Sequence, residues 1–333
     1  MEIRQIDVHD DALLTRFQQL CESAELFERP WETMWSFDEM AAQFREKDDA
    51  DLSEAYAAFD GEEMVGAAFA FYSLLDNTDK AFALVYVEPG RRRHGIGSAV
   101  TDYIVERCAE HGRTTLTGES SYSFERRDDH PTLMWARKNG FEVANIEIHR
   151  VLDLPVATGL LGKIATECAP HHVGYRIETY VDDIPAVHLD SYCYLLNQLA
   201  VDAPAGDFDW EAEAITPEIF LQRTERMKSV GRHRYSTLAI DAEGEVVAHT
   251  DLVLPAAQPH KVLQWGTLVR RDHRGHRLGA AVKVANLLAL QADHPERTEV
   301  HTTNAEVNAA MVAINDRLGF APVAVCPGFQ RKL

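Results

Sequence analysis

The chain repeats itself. "VYVEPGRRRHGIGSAV" (85–100) lies over "GTLVRRDHRGHRLGAAV" (266–282) with Val87 on Val269, Arg92 on Arg274, His94 on His276, Ile96 on Leu278 and Gly97 on Gly279. Upstream, "AFDGEEMVGAAFAF" matches "AIDAEGEVVAHTDL" at nearly the same offset, and downstream "WARKNGFEV" matches "AINDRLGFAPV". Three blocks in one order at an offset near 180 residues mean two copies of a whole domain, because solenoid units repeat every ~20–50 residues. With 333 residues and 46% hydrophobic content, two cores can be filled. The joint is expected in 154–174, giving domains over 1–153 and 175–333.

Each copy reads as the same series. A short strand and helical patterns precede two strands around a turn at Asp60-Gly61 or Glu243-Gly244, the alternation and turn chemistry of an antiparallel hairpin. A third strand ends at the glycine turn, and apolar residues at helical spacing follow (Ile96, Val100, Ile104; Leu278, Val282, Ala285). A further strand, helix and strand complete the copy. The expected class is α/β: in each copy a mixed, mostly antiparallel sheet flanked by helices.

The turn between third strand and helix carries the chemistry. Backbone N–H groups at a helix start have no intrahelical partner and bear the positive end of the dipole. Glycine lets an anion approach them, and arginine adds charge that pairs with phosphate. The spacing is not that of a P-loop or of a dinucleotide fingerprint. For one copy alone, a plain strand-to-helix turn with a basic cap would serve as explanation; two copies in matching places favour a phosphate site.

Composition excludes several functions. The net charge of −20 repels nucleic acid and anionic lipid. It is uneven, with 31 acidic and 16 basic residues in 1–153 against 22 and 17 in 154–333. Acidic surface favours cationic partners weakly, and a solubilising surface is the simpler account. No run of 18 apolar residues offers a membrane span. The acidic start "MEIRQIDVHDD" does not read as a signal peptide, and five scattered cysteines fit a reduced compartment; the expectation is cytoplasmic. His273-x-x-His276 lacks further ligands at metal spacing, so no metal is expected.

"VEPGRRRHGIG" resembles motif A of the GNAT acetyltransferases, and "NAEVNAAMVAINDRLGF" (304–320) resembles their motif B with its terminal Gly-Phe. The whole chain is similar to tandem GNAT proteins of the mycothiol synthase type. The resemblance implies two acyl-CoA N-acyltransferase folds and acetyl-CoA as cofactor. Its pyrophosphate is expected at Val87, Arg92, Arg93, His94, Gly95, Ile96, Gly97 and Ser98. In the second copy the matching set is Val269, Arg274, Gly275, His276, Arg277, Leu278, Gly279 and Ala280, with Asn304 and Asn308 facing the cofactor. Arg277 stands where the first glycine belongs; its Cβ is expected to crowd the turn and its guanidinium to pair with phosphate. The family's acid tyrosine is replaced by Ala136 and Asn315.

The implied reaction is direct acetyl transfer to a primary amine of a small molecule, with a monomer or homodimer as the assembly. A non-catalytic acyl-CoA-binding or regulatory module is the alternative, favoured by the missing tyrosine. Transfer needs a group to take the ammonium proton. His249 and Asp251, two apart on one strand, share a face and are the candidates, with Asn315 as a hydrogen-bonding partner and His301 and Gln264 nearby. For each histidine alone a structural role competes. Glu119 is the comparable residue of the first copy, and "FERPWETMWSF" (27–37) covers an acceptor groove or joins the core. By resemblance to the mycothiol synthase type, catalysis is expected in the second copy.

Overall fold

The computed structural model describes residues 1–333, which form two compact units. The first unit begins with β1 (Glu2–Gln5), α1 (Asp11–Leu26) and α2 (Phe37–Arg45). Asp10 caps α1 by accepting from the Leu13 N–H, and Ser36 and Glu39 form a reciprocal capping box at α2. Strands β2 (Asp51–Asp60), β3 (Glu63–Ser73) and β4 (Lys80–Val87) make an antiparallel meander. Then follow α3 (Ile96–Glu110), β5 (Thr115–Glu119), the two-residue β6 (Tyr122–Ser123), α4 (Pro131–Lys138) and β7 (Glu142–Asp153). β5 is parallel to β4 only from Lys80↔Thr115 to Phe82↔Thr117.

The second unit repeats the plan. It contains α5 (Thr158–Cys168), β8 (Arg176–Val181), α6 (Ala186–Asp202), α7 (Pro217–Ser229), β9 (His233–Ile240), β10 (Val246–Leu254) and β11 (Lys261–Val269). These lead into α8 (Leu278–Asp293), β12 (Glu299–Ala305), α9 (Ala309–Leu318) and β13 (Ala321–Lys332). β12 is parallel to β11 from Lys261↔Glu299 to Gln264↔Thr302, and the strands part beyond that pair.

Strand alternation fills both faces of each sheet. In the first unit Ala67 and Phe69 pack with Leu14, Phe17 and Met40, while Ala68, Ala70 and Tyr72 pack with Val100 and Ile104 of α3. In the second, Leu238 joins Tyr192 and Leu195 of α6, while Leu252 joins Ala281 and Val284 of α8. At ~25 cal/mol per Å² of apolar surface, such two-sided burial is the main stabilising contribution to each unit.

The division of the chain differs from the expected boundaries. The first unit is Met1–Glu147 with Gly206–Asp209 and Ala324–Leu333; the second is Ile148–Ala205 with Trp210–Val323. The C-terminal residues return to the first unit, where Gly328↔Glu119 to Lys332↔Thr115 pair β13 antiparallel to β5. In the second unit β7 lies beside β12. Each unit thus takes a strand from the other half of the sequence. Residues 154–174 are not a spacer: α5 buries Leu161, Ile164 and Cys168 in the second unit's core.

Candidate active site

Both glycine turns join the end of a strand to the start of a long helix. Gly95 is the N-cap of α3 with φ 85°, and no side chain caps the helix. Arg277 is the N-cap of α8 with φ 54°, also without a side-chain cap. The first N–H groups of each helix therefore point out of the turn without intrahelical acceptors. Each turn holds two left-handed residues two apart, Arg93 and Gly95 in one, Gly275 and Arg277 in the other. The glycine and the arginine have exchanged places.

The motif arginines are held by groups of the protein itself. Arg92 Nε donates to the Val87 carbonyl at 3.3 Å and its Nη2 to the Ala24 carbonyl at 3.0 Å, with the guanidinium over the Phe27 ring. Arg274 repeats this: Nε donates to Val269 O at 3.2 Å and Nη2 pairs with Asp202 at 3.0 Å. Both clamp the end of a strand to the end of a helix. Arg277, expected on phosphate, donates Nη1 to the Glu167 carbonyl at 3.1 Å. The two histidines are also held by backbone, His94 Nδ1 by the Arg91 and Arg92 carbonyls and His276 Nδ1 by the His171 carbonyl.

Between the α8 N-terminus and α9 lies a cavity of about 320 Å³ lined by Arg277, Gly279, Ala280, Ile314 and Arg317 among others. In the first unit Trp135 occupies the place of Ile314, and its indole nitrogen lies 3.4 Å from where a Gly97 Cβ would stand. Val87 and Val269 pack against the helix glycines, 3.4 and 3.6 Å from the corresponding Cβ positions of Gly97 and Gly279. Glycine lets each helix start lie close on its strand.

His249 and Asp251 meet as their spacing requires. Nδ1 of His249 is 2.8 Å from Oδ2 of Asp251, and both side chains are buried. Asp251 also accepts from the Tyr192 hydroxyl at 2.8 Å and from Ser236. Burial pushes its carboxyl up, but His249, Arg234 and the Ser236 hydrogen bond prevail and hold it below the usual carboxylate range. A neutral imidazole that donates Nδ1–H to this carboxylate carries its lone pair on Nε2. That nitrogen is buried without a hydrogen-bond partner, close to Gly266. Opposite Asp251 the β10–β11 ladder slips: Thr250 pairs with Thr267 and Leu252 with Gln264, so β11 holds one extra residue there. The matching ladder of the first unit runs unbroken from Gly66↔Val87 to Phe71↔Phe82, and Ala67 and Phe69 stand where the dyad would be.

The asparagines divide. Asn304 ends up on β12, and Asn308 is the N-cap of α9, accepting from the Met311 N–H. Asn315 is fully buried; its Nδ2 donates to Asn304 Oδ1 at 3.1 Å, while its Oδ1 accepts from Lys283 Nζ, also at 3.1 Å. Lys283, on α8, also donates to Gln264 Oε1 at 3.3 Å. Gln264 in turn donates to Thr250 Oγ1 and to the Asp251 carbonyl. Sequence reading missed Lys283, the one polar residue of the apolar run "AAVKVA". His301 lies apart from this network, bonded to His149 at 3.0 Å and to Glu299 at 2.9 Å.

In the first unit Glu119 ends β5 beside other acids. Its packed surroundings and the charges of Glu147, Glu32 and Glu25 push its carboxyl up to about 7, although the side chain reaches solvent. Burial likewise raises Glu25 to about 7 against the pull of Arg29. The aromatic stretch divides: Trp35 stacks on Phe69 in the core, while Trp31 Nε1 donates to Ser121 Oγ, which bonds Glu32.

Residues 20–124 match the family model described as Acetyltransferase (GNAT) family. No curated protein matches the sequence. Among solved structures the chain is similar to a tandem GNAT protein from the clavulanic acid biosynthesis pathway, at 27% identity and TM-score 0.76, covering 99% of this chain and 98% of that one. It also resembles in fold a GCN5-related N-acetyltransferase from Sphaerobacter thermophilus, at 15% identity and TM-score 0.64, covering 99% and 95%. A putative acetyltransferase from Pyrococcus horikoshii, at 11% identity and TM-score 0.56, covers 100% and 89%.

Proposed function

From the premise that the chain is an acyltransferase built of two GNAT folds, we propose that it moves an acetyl group from acetyl-CoA to the primary amine of a small molecule. Transfer is direct, within a ternary complex, and the chemistry belongs to the second unit. The observation that carries this reading is the His249 Nε2, buried and unpartnered beside the β11 bulge while Asp251 fixes Nδ1. Acetyl-CoA supplies the activated acyl carbonyl. Its phosphates fit the start of α8, where Gly279 and Ala280 border the cavity beside Arg277 and Arg317. The extra residue of β11 frees a strand N–H for a developing oxyanion.

His249 takes the proton that the amine loses on attack, and Asp251 stabilises the resulting imidazolium. Leu268, the cross-strand partner of His249, lines a cavity of about 530 Å³ with Tyr194, Leu195, Gln198 and Asp202. That cavity suits a small acceptor; of its acids, Asp202 is paired with Arg271 and Arg274 and Asp272 with Arg270. The first unit, with Trp135 against Gly97 and no dyad, holds cofactor without turning it over.

The second reading, a non-catalytic acyl-CoA-binding module, draws on the complete burial of the dyad. Thiol release from acetyl-CoA, measured across polyamines, aminoglycosides, amino-sugar thiols and amino-acid amides, separates the two. Acceptor-dependent release supports the enzyme; none over the whole panel supports the module.

A further inference from the structure

The parting of β11 and β12 is flanked by two different groups. His249 and Asp251 lie on the α6 face of the sheet, against Tyr192. Thr250, Leu252 and Gln264 lie on the α8 face, where strand alternation puts them and where Leu252 packs on α8. On that second face the ammonium of Lys283 reaches both arms of the fork. One acceptor is Gln264, the last residue of β11 paired with β12. The other is Asn315, which holds Asn304, two residues past the last paired residue of β12. Lys283 is 2% exposed and its oxygen partners are both neutral amides. Phe320 of β13 adds an aromatic ring 5.5 Å from the nitrogen. Two of its three N–H groups are thus engaged.

A buried ammonium without a carboxylate is rare, because desolvation favours its neutral form. A purely structural role could be filled by methionine or leucine with less penalty. The position invites another role. Breaking a thioester leaves a thiolate, and the dyad on the opposite face can accept a proton but has none to give at the start of the reaction.

We propose that Lys283 is the proton donor to the thiolate that leaves when the amine attacks in the second unit. This rests on the reading of that unit as the acetyl-transferring one. The amine nitrogen forms the N–C bond and its proton passes to His249 Nε2. The C–S bond breaks with its electron pair on sulfur, and Lys283 gives that sulfur a proton, leaving the neutral amine. Solvent then carries the proton from His249 to Lys283, so the sum is amine plus thioester to amide plus thiol.

The acidity fits the task. Desolvation alone lowers Lys283 to about 7. A thiol ionises near ~8.5, so transfer from Lys283 to the thiolate runs downhill, whereas an ordinary lysine at ~10.4 would run uphill. The first unit has no counterpart: Thr101, Ala83 and Ala136 stand where Lys283, Gln264 and Asn315 stand in the second.

The test uses the full chain with Lys283→Met and Lys283→Arg. The first readout is the ionisation of the thiol of bound CoA, followed by thiolate absorbance in the ultraviolet. At about pH 6, where Lys283 is still an ammonium facing the sulfur, the bound thiol ionises about tenfold more readily in wild type than in Lys283→Met. The second is turnover: both variants should lose about a hundredfold or more in kcat, with affinity for acetyl-CoA unchanged. The alkaline fall of kcat, present in wild type because Lys283 must be protonated, should vanish in both. Equal thiol ionisation in wild type and Lys283→Met overturns the proposal, as does Lys283→Arg at wild-type rate, since arginine keeps the charge without giving up a proton. If His249→Ala is inactive while Lys283→Met is not, this inference fails and the reading of the second unit stands. If wild type releases no thiol with any acceptor, both fail together.

Discussion

Gly95 and Arg277 hold the same place in two turns, each the left-handed residue that opens a long helix, at φ 85° and 54°. An arginine there carries backbone strain on the order of 1–3 kcal/mol that glycine avoids. Its bond to the Glu167 carbonyl, on an exposed side chain, offsets only part of it. Glycine's extra freedom in the unfolded chain takes back ~0.5–1 kcal/mol. Arg277→Gly is therefore expected to leave stability unchanged or raise it by about 1 kcal/mol, measured by denaturant unfolding. A loss above about 2 kcal/mol would show that the Glu167 contact outweighs the strain.

Glu25 gives a pH signature to the first unit. Its carboxyl is raised to about 7 in the fold from an ordinary value of 4.5, chiefly by burial. The folded state then binds the proton more tightly than the unfolded chain, so stability falls as pH rises through this window and the full penalty stands above it. Glu25→Gln should leave stability at pH 4 nearly unaltered and raise it at pH 8 by on the order of 2–3 kcal/mol, less whatever the lost Arg29 pair contributed. Unfolding curves at the two pH values decide; an equal change at both is the contrary result.

What the sequence could tell followed from how local each signal is. The duplication, the strand–turn–helix and the His249/Asp251 pair rest on neighbours or on period-two alternation, and all three are legible before any coordinates. The return of 324–333 to the first unit is set by pairing with β5 across more than 200 residues, and nothing local to either strand announces it. Lys283 was hidden for a related reason. Its partners Gln264 and Asn315 come from another strand and another helix, and a lone lysine in an apolar helix reads as a surface position. Arg92 and Arg274 were legible as motif residues, but the carbonyls their guanidinium groups serve, and the aspartate on Arg274, lie on other elements and left no local trace in the charge pattern.

The two turns should differ in how they respond to a bulky residue. Gly279 borders the cavity between α8 and α9, with Ile314 and Val269 at ordinary contact distance from a Cβ. Gly279→Trp would fill that cavity. Calorimetry with acetyl-CoA should lose one binding event in Gly279→Trp, and turnover should disappear with it. Gly95→Trp, at a left-handed φ of 85°, should abolish binding in the first unit and spare turnover. Loss of turnover in Gly95→Trp alone would reverse the assignment of the units.

The sharpest comparison sets His249 against Glu119. Each is a proton-accepting group near a place where two parallel strands part, and the two environments differ in kind. His249 has its tautomer fixed by Asp251, a bare Nε2 and a strand bulge beside it. Glu119 shares its surroundings with Glu25, Glu32 and Glu147, faces a ladder without a bulge, and has Ala136 rather than a polar residue on the neighbouring helix. Removing a proton acceptor lowers rate by roughly 10²–10⁴. His249→Ala should fall by that much in kcat with acetyl-CoA affinity kept, and Asp251→Asn should follow it because the imidazole loses its fixed tautomer. Glu119→Ala should stay within about threefold of wild type. Steady-state thiol release with one responsive acceptor measures all three, and an inactive Glu119→Ala beside an active His249→Ala would move the chemistry to the first unit.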